Sequence, residues 1–171
     1  MFAFDEEELK SMLDKVHTTC LDRKVTLATA ESCTGGLLSA ILTSRSGSSA
    51  YFLGGVCSYS NDIKIKILAV PDALIAKAGA VSELVAKSMA EGARAFSGAD
   101  YTVSVTGIAG PGGGSVEKPV GTVYCAWTSD KGTEVERLQL KGNRDSIRAQ
   151  TCLIALAGLL SRILSNSQEV S

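Results

Sequence analysis

An apolar run, Val25 to Ala30, breaks off at Glu31-Ser32-Cys33-Thr34-Gly35-Gly36, and a second apolar run follows at once from Leu37 to Leu42. The first run reads as a strand and the second as a helix. A tight polar turn between a strand and a helix belongs at the carboxyl end of a sheet, and this fixes the kind of fold around it. Such a turn brings a hydroxyl or a thiol beside the free N–H groups that open a helix, and these favour negative charge. Two readings of the turn are open. In one, Ser32 is a nucleophile next to an oxyanion site. In the other, Ser32 or Thr34 caps the helix and Gly35-Gly36 eases the turn. Cys33 is a rival nucleophile. Neighbours on a turn point in different directions, so only one of Ser32 and Cys33 faces a site, and cysteine in such places is often simply small and buried.

The rest of the chain supplies the layers. Leu9, Met12, Leu13 and Val16 recur at helical spacing within Asp5 to Arg23. Thr34 to Thr43 continues as a helix, and Tyr51 to Tyr59 reads as a second strand with Gly54-Gly55 as a bulge or close approach. Ser60-Asn61-Asp62 is a helix start. Ile63-Lys64-Ile65-Lys66-Ile67 alternates as a strand would, but the start signal before it and Pro71-Asp72 after it favour a short helix. Pro71 to Ala78 is another. Ser82 caps a longer helix to Phe96, with Val85, Met89, Ala93 and Phe96 as its buried stripe and Gly98 as its stop. Tyr101 to Val105 reads as a third strand. Thr122 to Thr128 and Glu134 to Leu140 flank Asp130-Lys131-Gly132 and pair as a hairpin. Asn143 caps a last helix to Leu164, and the polar tail Ser165 to Ser171 is expected to fray. Strands alternating with helices, then a hairpin, predict a three-layer α/β/α fold with a mixed, largely parallel sheet of about five strands.

Composition narrows the function. A chain of 171 residues suits one domain. A formal net charge of −1 gives no basic field for nucleic acid. No apolar run reaches the length of a membrane span, and the acidic start (Met1 to Glu8) is unlike a secretory signal, so a cytoplasmic protein is expected. The five cysteines are odd in number, widely spaced and free of any C-x-x-C pair, which argues against a disulfide framework or a zinc site. His17 is the single histidine and reads as a surface residue. Histidine-assisted catalysis therefore has one candidate, and a multi-histidine metal site has none.

Other residues at the expected carboxyl edge carry chemistry. The loop Thr106 to Pro119, with Gly107, Gly110 and Gly112-Gly113-Gly114, is either a phosphate cradle or a mobile connection, and it matches neither a P-loop nor a dinucleotide fingerprint. Lys64 falls in the first turn of its helix, where it is either a general base with a lowered pKa or an exposed lysine. Tyr59 ends its strand at the same edge. Arg144 and Arg148 share a face at the start of the last helix, either to grip a phosphate or to pair with Asp145 in solvent. Glu31 is placed to orient Lys64, to bind a cation or to cap the helix.

Several motifs in one order carry a family resemblance: Thr29 to Gly36, Tyr59-Ser60-Asn61 through Lys64, Gly79 to Ser82, Thr106 to Pro111, Glu117 to Val123 and Gly142 to Asp145. Together they resemble the CinA C-terminal domain family, the nicotinamide mononucleotide deamidases, over about residues 8–164. The resemblance implies hydrolysis of the carboxamide of nicotinamide mononucleotide to nicotinate mononucleotide and ammonia, within pyridine-nucleotide recycling. It places the family's serine on Ser32, its tyrosine on Tyr59 and its lysine on Lys64, and implies no metal or organic cofactor. Amides near Cys33, Thr34 and Gly35 would hold the oxyanion. Arg144, ranked above Arg148, would hold the phosphate with the Thr106 to Gly110 loop nearby. The partner expected is a small nucleotide substrate, with neither nucleic acid nor membrane. Longer relatives carry an added N-terminal domain, so a stand-alone form is expected. Small size and apolar composition suggest a homo-oligomer. A non-catalytic nucleotide-binding module and an amidase for another small amide are the competing readings.

Overall fold

The computed structural model describes residues 6–166. The expected helix start at Asp5, the residues before it and the polar tail beyond Asn166 lie outside them. The elements are α1 (Glu6–Arg23), β1 (Leu27–Glu31), α2 (Leu37–Thr43), β2 (Phe52–Cys57), α3 (Asn61–Leu68), α4 (Asp72–Ala78), α5 (Glu83–Ser97), β3 (Tyr101–Gly107), β4 (Thr122–Ser129), β5 (Gly132–Gln139) and α6 (Arg144–Ser165). A short 3-10 turn, Ser48–Ala50, leads into β2.

The sheet order is β2-β1-β3-β4-β5. β1 pairs parallel with both β2 and β3, and β4 and β5 run antiparallel, so the sheet is mixed as expected. The chain leaves β1 toward β2 and returns to the other side of β1 for β3. That reversal opens a crevice at the carboxyl ends of β1 and β3. One face of the sheet packs on α1, α2 and α6 through Leu13, Val16, Leu38, Leu156 and Leu159 against Leu27, Val103, Val105 and Trp127. The other packs on α3, α4 and α5 through Leu68, Ile75, Val85, Met89 and Ala93 against Ala30.

β3 explains how α5 comes so close. Its alternate residues are hydroxyls, and they are buried rather than solvated. Thr102 Oγ1 donates to the Ala90 carbonyl (2.8 Å), Ser104 Oγ to Ala86 (2.6 Å) and Thr106 Oγ1 to Ala80 (2.9 Å). Small side chains face small side chains there, and each buried hydroxyl is satisfied.

Four expectations change. Phe96 is 68% exposed and leaves the buried stripe of α5, which ends at Ala93. His17 is half-buried, its Nδ1 3.2 Å from the Tyr51 hydroxyl. α2 starts at Leu37, not Thr34, because Gly35 and Gly36 take the left-handed backbone. Finally, α6 is long and apolar enough to cross a membrane by length and composition alone. It is a core helix: Ile147, Cys152, Ala155, Leu156, Leu159 and Ile163 are buried against the sheet.

The Gly54-Gly55 expectation holds in both senses. The β1–β2 register shifts beside Gly54. A Cβ on Gly55 would overlap Thr29 Oγ1 and Ser39 Oγ. A second close approach joins α3 and α5 on the opposite face, where a Cβ on Gly92 would overlap the Leu68 carbonyl. That oxygen is backbone and cannot step aside. Gly92→Ala should therefore destabilise the fold by about 1–3 kcal/mol through forced separation of α3 and α5. Urea unfolding should show a lower midpoint with an unchanged slope.

Candidate active site

The turn after β1 is held from both ends. Ser32 N donates to the Val105 carbonyl at 3.0 Å, which ties the turn to β3. Gly35 and Gly36, at φ 61° and 95°, reverse the chain into α2 in a conformation that side chains with a Cβ resist. Neither Ser32 nor Thr34 caps the helix; Glu31 does. Its Oε2 accepts from Thr34 Oγ1 (2.7 Å), Gly36 N (3.0 Å) and Leu38 N (3.0 Å). Its Oε1 accepts from Ser39 N (2.8 Å) and Ser39 Oγ (2.6 Å). Of the expected roles for Glu31, the structure shows the cap. It makes no ion pair with Lys64 among the described residues.

The cap decides which turn amides remain. Gly36 donates to Glu31, Gly35 to the Ser32 carbonyl and Leu37 to the Thr34 carbonyl. Gly35 is thus not a free oxyanion donor. Among the described residues, the Cys33 and Thr34 amides donate to no other backbone group. They directly follow the serine, where a nucleophile turn places its first oxyanion donor.

Ser60 caps α3, its Oγ accepting from Ile63 N at 3.3 Å. Lys64 and Leu68, four residues apart, then point inward, while Ile63 and Ile67 are exposed. This inversion is why the Ile-Lys alternation imitates a strand although the segment is the short helix expected. Lys64 is 1% exposed. Its Nζ lies 3.1 Å from Ser32 Oγ and donates to the Ser58 carbonyl at 2.6 Å. No carboxylate pairs with it among the described residues. Burial pushes its pKa down from the ordinary 10.5, as expected for an amine taken from water without a counter-charge.

Cys33 is buried, and burial above all pushes its thiol up to about 12, so it stays protonated and poorly nucleophilic. Ser32, by contrast, is partly exposed.

The remaining candidates sort into those at the edge and those beneath it. Arg144 Nη1 donates to the Gly110 carbonyl (2.8 Å) and Nη2 to the Tyr59 hydroxyl (3.1 Å), so α6, the Gly-rich loop and the end of β2 meet at one exposed guanidinium. Tyr59 is 63% exposed, and its hydroxyl bonds to neither Lys64 nor Ser32, against the expected assistance to the lysine. Arg148 donates twice to the Thr34 carbonyl, through Nε (3.2 Å) and Nη2 (2.7 Å), and its Nη1 lies 3.7 Å from Asp145. It braces the turn. Thr106 is buried and bound to Ala80, so its hydroxyl does not face the edge. Gly107 lets β3 lie against Val123, and Gly110 sits at φ 79° against Val120. The broad grooves along α1 hold neither Ser32 nor Lys64.

A three-layer α/β/α domain with a serine–lysine pair at the carboxyl edge of its parallel strands is the class that fold and site define. The family model for the CinA C-terminal domain matches residues 9–163, and the chain belongs to that family. A CinA-like protein of Geobacter sp. (strain M21) is 50% identical over 165 residues, 96% of this chain and 39% of that protein. Another, of Mycolicibacterium gilvum (strain PYR-GCK), is 56% identical over 141 residues, 82% of this chain and 33% of that protein. The chain thus spans about two fifths or less of the length of these curated relatives. Among solved structures, the competence/damage inducible protein CihA from Agrobacterium tumefaciens superposes with TM-score 0.89 at 39% identity, covering 94% of this chain and 98% of that one. A CinA superfamily protein from Escherichia coli gives 0.87 at 30% identity, with 93% of each chain covered.

The buried amine has a thermodynamic signature. Between the lowered folded pKa and the ordinary 10.5, the unfolded chain holds the Lys64 proton and the folded chain does not. Stability therefore rises with pH through that window, and the penalty is full below it. Lys64→Met should abolish this rise. Paired urea titrations across the window should show wild type gaining on the variant as pH increases, and parallel curves would mean that Lys64 is not neutralised by burial.

Proposed function

We propose that this chain hydrolyses the carboxamide of nicotinamide mononucleotide, with Ser32 as nucleophile and Lys64 as base. The observation that carries the chemistry is the buried Lys64 amine, 3.1 Å from Ser32 Oγ. In its neutral form Nζ donates one hydrogen to the Ser58 carbonyl and turns its lone pair toward the Ser32 hydroxyl, which then donates to it. Attack forms the Oγ–carbon bond, with the serine proton passing to Nζ. The Cys33 and Thr34 amides face the oxygen that becomes negative. Collapse breaks the carbon–nitrogen bond, and Lys64 returns the proton to the leaving ammonia. Water then cleaves the ester with the same roles reversed. The pyridinium ring draws electrons from the amide carbon and eases both attacks. The choice of substrate rests on the family resemblance.

The non-catalytic reading required Ser32 to be only a cap. Glu31 caps the helix in its place, which frees the serine for chemistry. Ammonia release from nicotinamide mononucleotide should vanish in Ser32→Ala and persist in Cys33→Ala, and should fall on acidification as Lys64 takes up a proton. Turnover of a different amide but not of the mononucleotide, across a panel of small amides, would replace the substrate and keep the mechanism.

Arg144 is the proposed phosphate group-binder, because it is exposed and its present partners are both neutral oxygens. A charge-assisted bond to phosphate is worth about 1.5–3 kcal/mol, or ~10- to 150-fold in affinity. Arg144→Ala should raise KM for the mononucleotide on that scale while barely changing residual turnover of nicotinamide riboside, which lacks the phosphate. Equal losses on both substrates would move Arg144 out of the phosphate site.

A further inference from the structure

Glu31 sits one residue before the nucleophile, yet it touches neither Ser32 Oγ nor Lys64 Nζ in its hydrogen bonding. Its carboxylate, 1% exposed with the whole residue, is ringed by five donors drawn from Thr34, Gly36, Leu38 and Ser39. Two oxygens offer about four lone-pair sites, so the group is saturated. Its own carbonyl accepts Ser58 N at 2.7 Å and Ser58 Oγ at 3.2 Å. Ser58 is in turn the residue whose carbonyl holds Lys64 Nζ. One residue therefore fixes the turn that carries Ser32 through its side chain, and the segment that aims Lys64 through its main chain.

The saturation also divides the amides. A helix N-terminus attracts any anion, and the incoming oxyanion competes for whichever N–H groups are free. Glu31 removes the amides of Gly36, Leu38 and Ser39 from that competition. Beside Ser32 the Cys33 and Thr34 amides have no backbone acceptor among the described residues and lie toward the Cys33 sulfur. Arg148, donating twice to the Thr34 carbonyl, holds the next peptide unit of the turn, Thr34–Gly35.

We propose that Glu31 is a positioning residue for the serine chemistry: its carboxylate shapes the turn so that Ser32 Oγ stays on Lys64 and only the Cys33 and Thr34 amides face the oxyanion. This rests on the serine reading given above. Gln has the same shape, but its NH2 places donors among donors and must break one side of the ring. Thr34→Val removes one donor at constant shape, and Thr34→Ser keeps it.

The test uses a fluorophosphonate, whose phosphorus bonds to Ser32 Oγ while fluoride leaves and the serine proton passes to Lys64. Labelling of the Ser32 peptide is followed by mass spectrometry, beside kcat and KM for nicotinamide mononucleotide. Glu31→Gln should slow labelling and lower kcat on the order of 100-fold, the scale set by a 1 Å misplacement, with KM little changed. Thr34→Val should slow labelling about tenfold, and Thr34→Ser should recover most of that loss. A folded Glu31→Gln that labels at the wild-type rate overturns the proposal and leaves the serine reading standing. If that variant does not fold, equal rates for Thr34→Val and wild type overturn it instead. A wild-type Ser32 that does not label at all overturns the serine reading and this proposal together.

Discussion

A carboxylate buried at the start of a helix determines how the edge of this sheet is built. Taking a charged oxygen pair out of water is costly unless every acceptor site is filled. Glu31 meets that condition from within a short stretch, Thr34 to Ser39, and the stretch must curl to bring those donors together. Gly35 and Gly36 permit the curl. Gly55 on the neighbouring strand leaves room for Ser39 and Thr29, whose hydroxyls lie 2.8 Å apart beside the carboxylate. Strand, turn and helix are thus one electrostatic unit. Its positive end is already occupied by the Glu31 carboxylate.

The same arrangement accounts for the state of Lys64. A carboxylate next to a buried amine holds the proton on it, whereas burial alone drives the proton off. Here a carboxylate and an amine share a small site, but Glu31 is engaged by amides and hydroxyls, while Lys64 meets a carbonyl and a hydroxyl. Keeping the two apart leaves burial free to lower the Lys64 pKa. The cost is a fold that is less stable at neutral pH than one with an apolar residue at that position, a common exchange at reactive sites.

Most of the architecture was legible because it depends on local signals. Asn143, Ser60 and Ser82 each announce a helix and each accept the amide three residues on. Asp130-Lys131-Gly132 marks the hairpin, and the strand–turn–helix pattern marks the site. Misreadings arose where the partner is distant in sequence. The Thr106 hydroxyl belongs to Ala80, and no local feature announces that. Lys64 was picked out as a candidate base, but its burial depends on α3 turning Ile63 and Ile67 outward, against the usual rule for apolar residues. Phe96 fits the helical period of α5 and is nonetheless exposed, beside β2 at the edge of the sheet. Glu31 is the instructive middle case. Its donors are all within eight residues, and a carboxylate followed by Thr, two glycines and Ser was a readable cap.

The two arginines of α6 show how a shared helix face divides into separate roles. Both stand at the edge where the three loops meet. Arg148 places two donors on one carbonyl of the nucleophile turn and has an acidic neighbour, so drawing it toward a ligand would release the turn. Arg144 reaches the Gly110 carbonyl and the Tyr59 hydroxyl, both neutral, one on a Gly-rich loop and one on an exposed ring. An arriving anion outcompetes neutral acceptors for a guanidinium, because the charge-assisted bond is roughly twice as strong. Neither of the Arg144 bonds involves Ser32 or Lys64, so Arg144 can change partners without disturbing them. The edge separates a braced half, where Arg148 holds the turn that carries Ser32, from an exposed half around Arg144, with one helical turn of α6 between them.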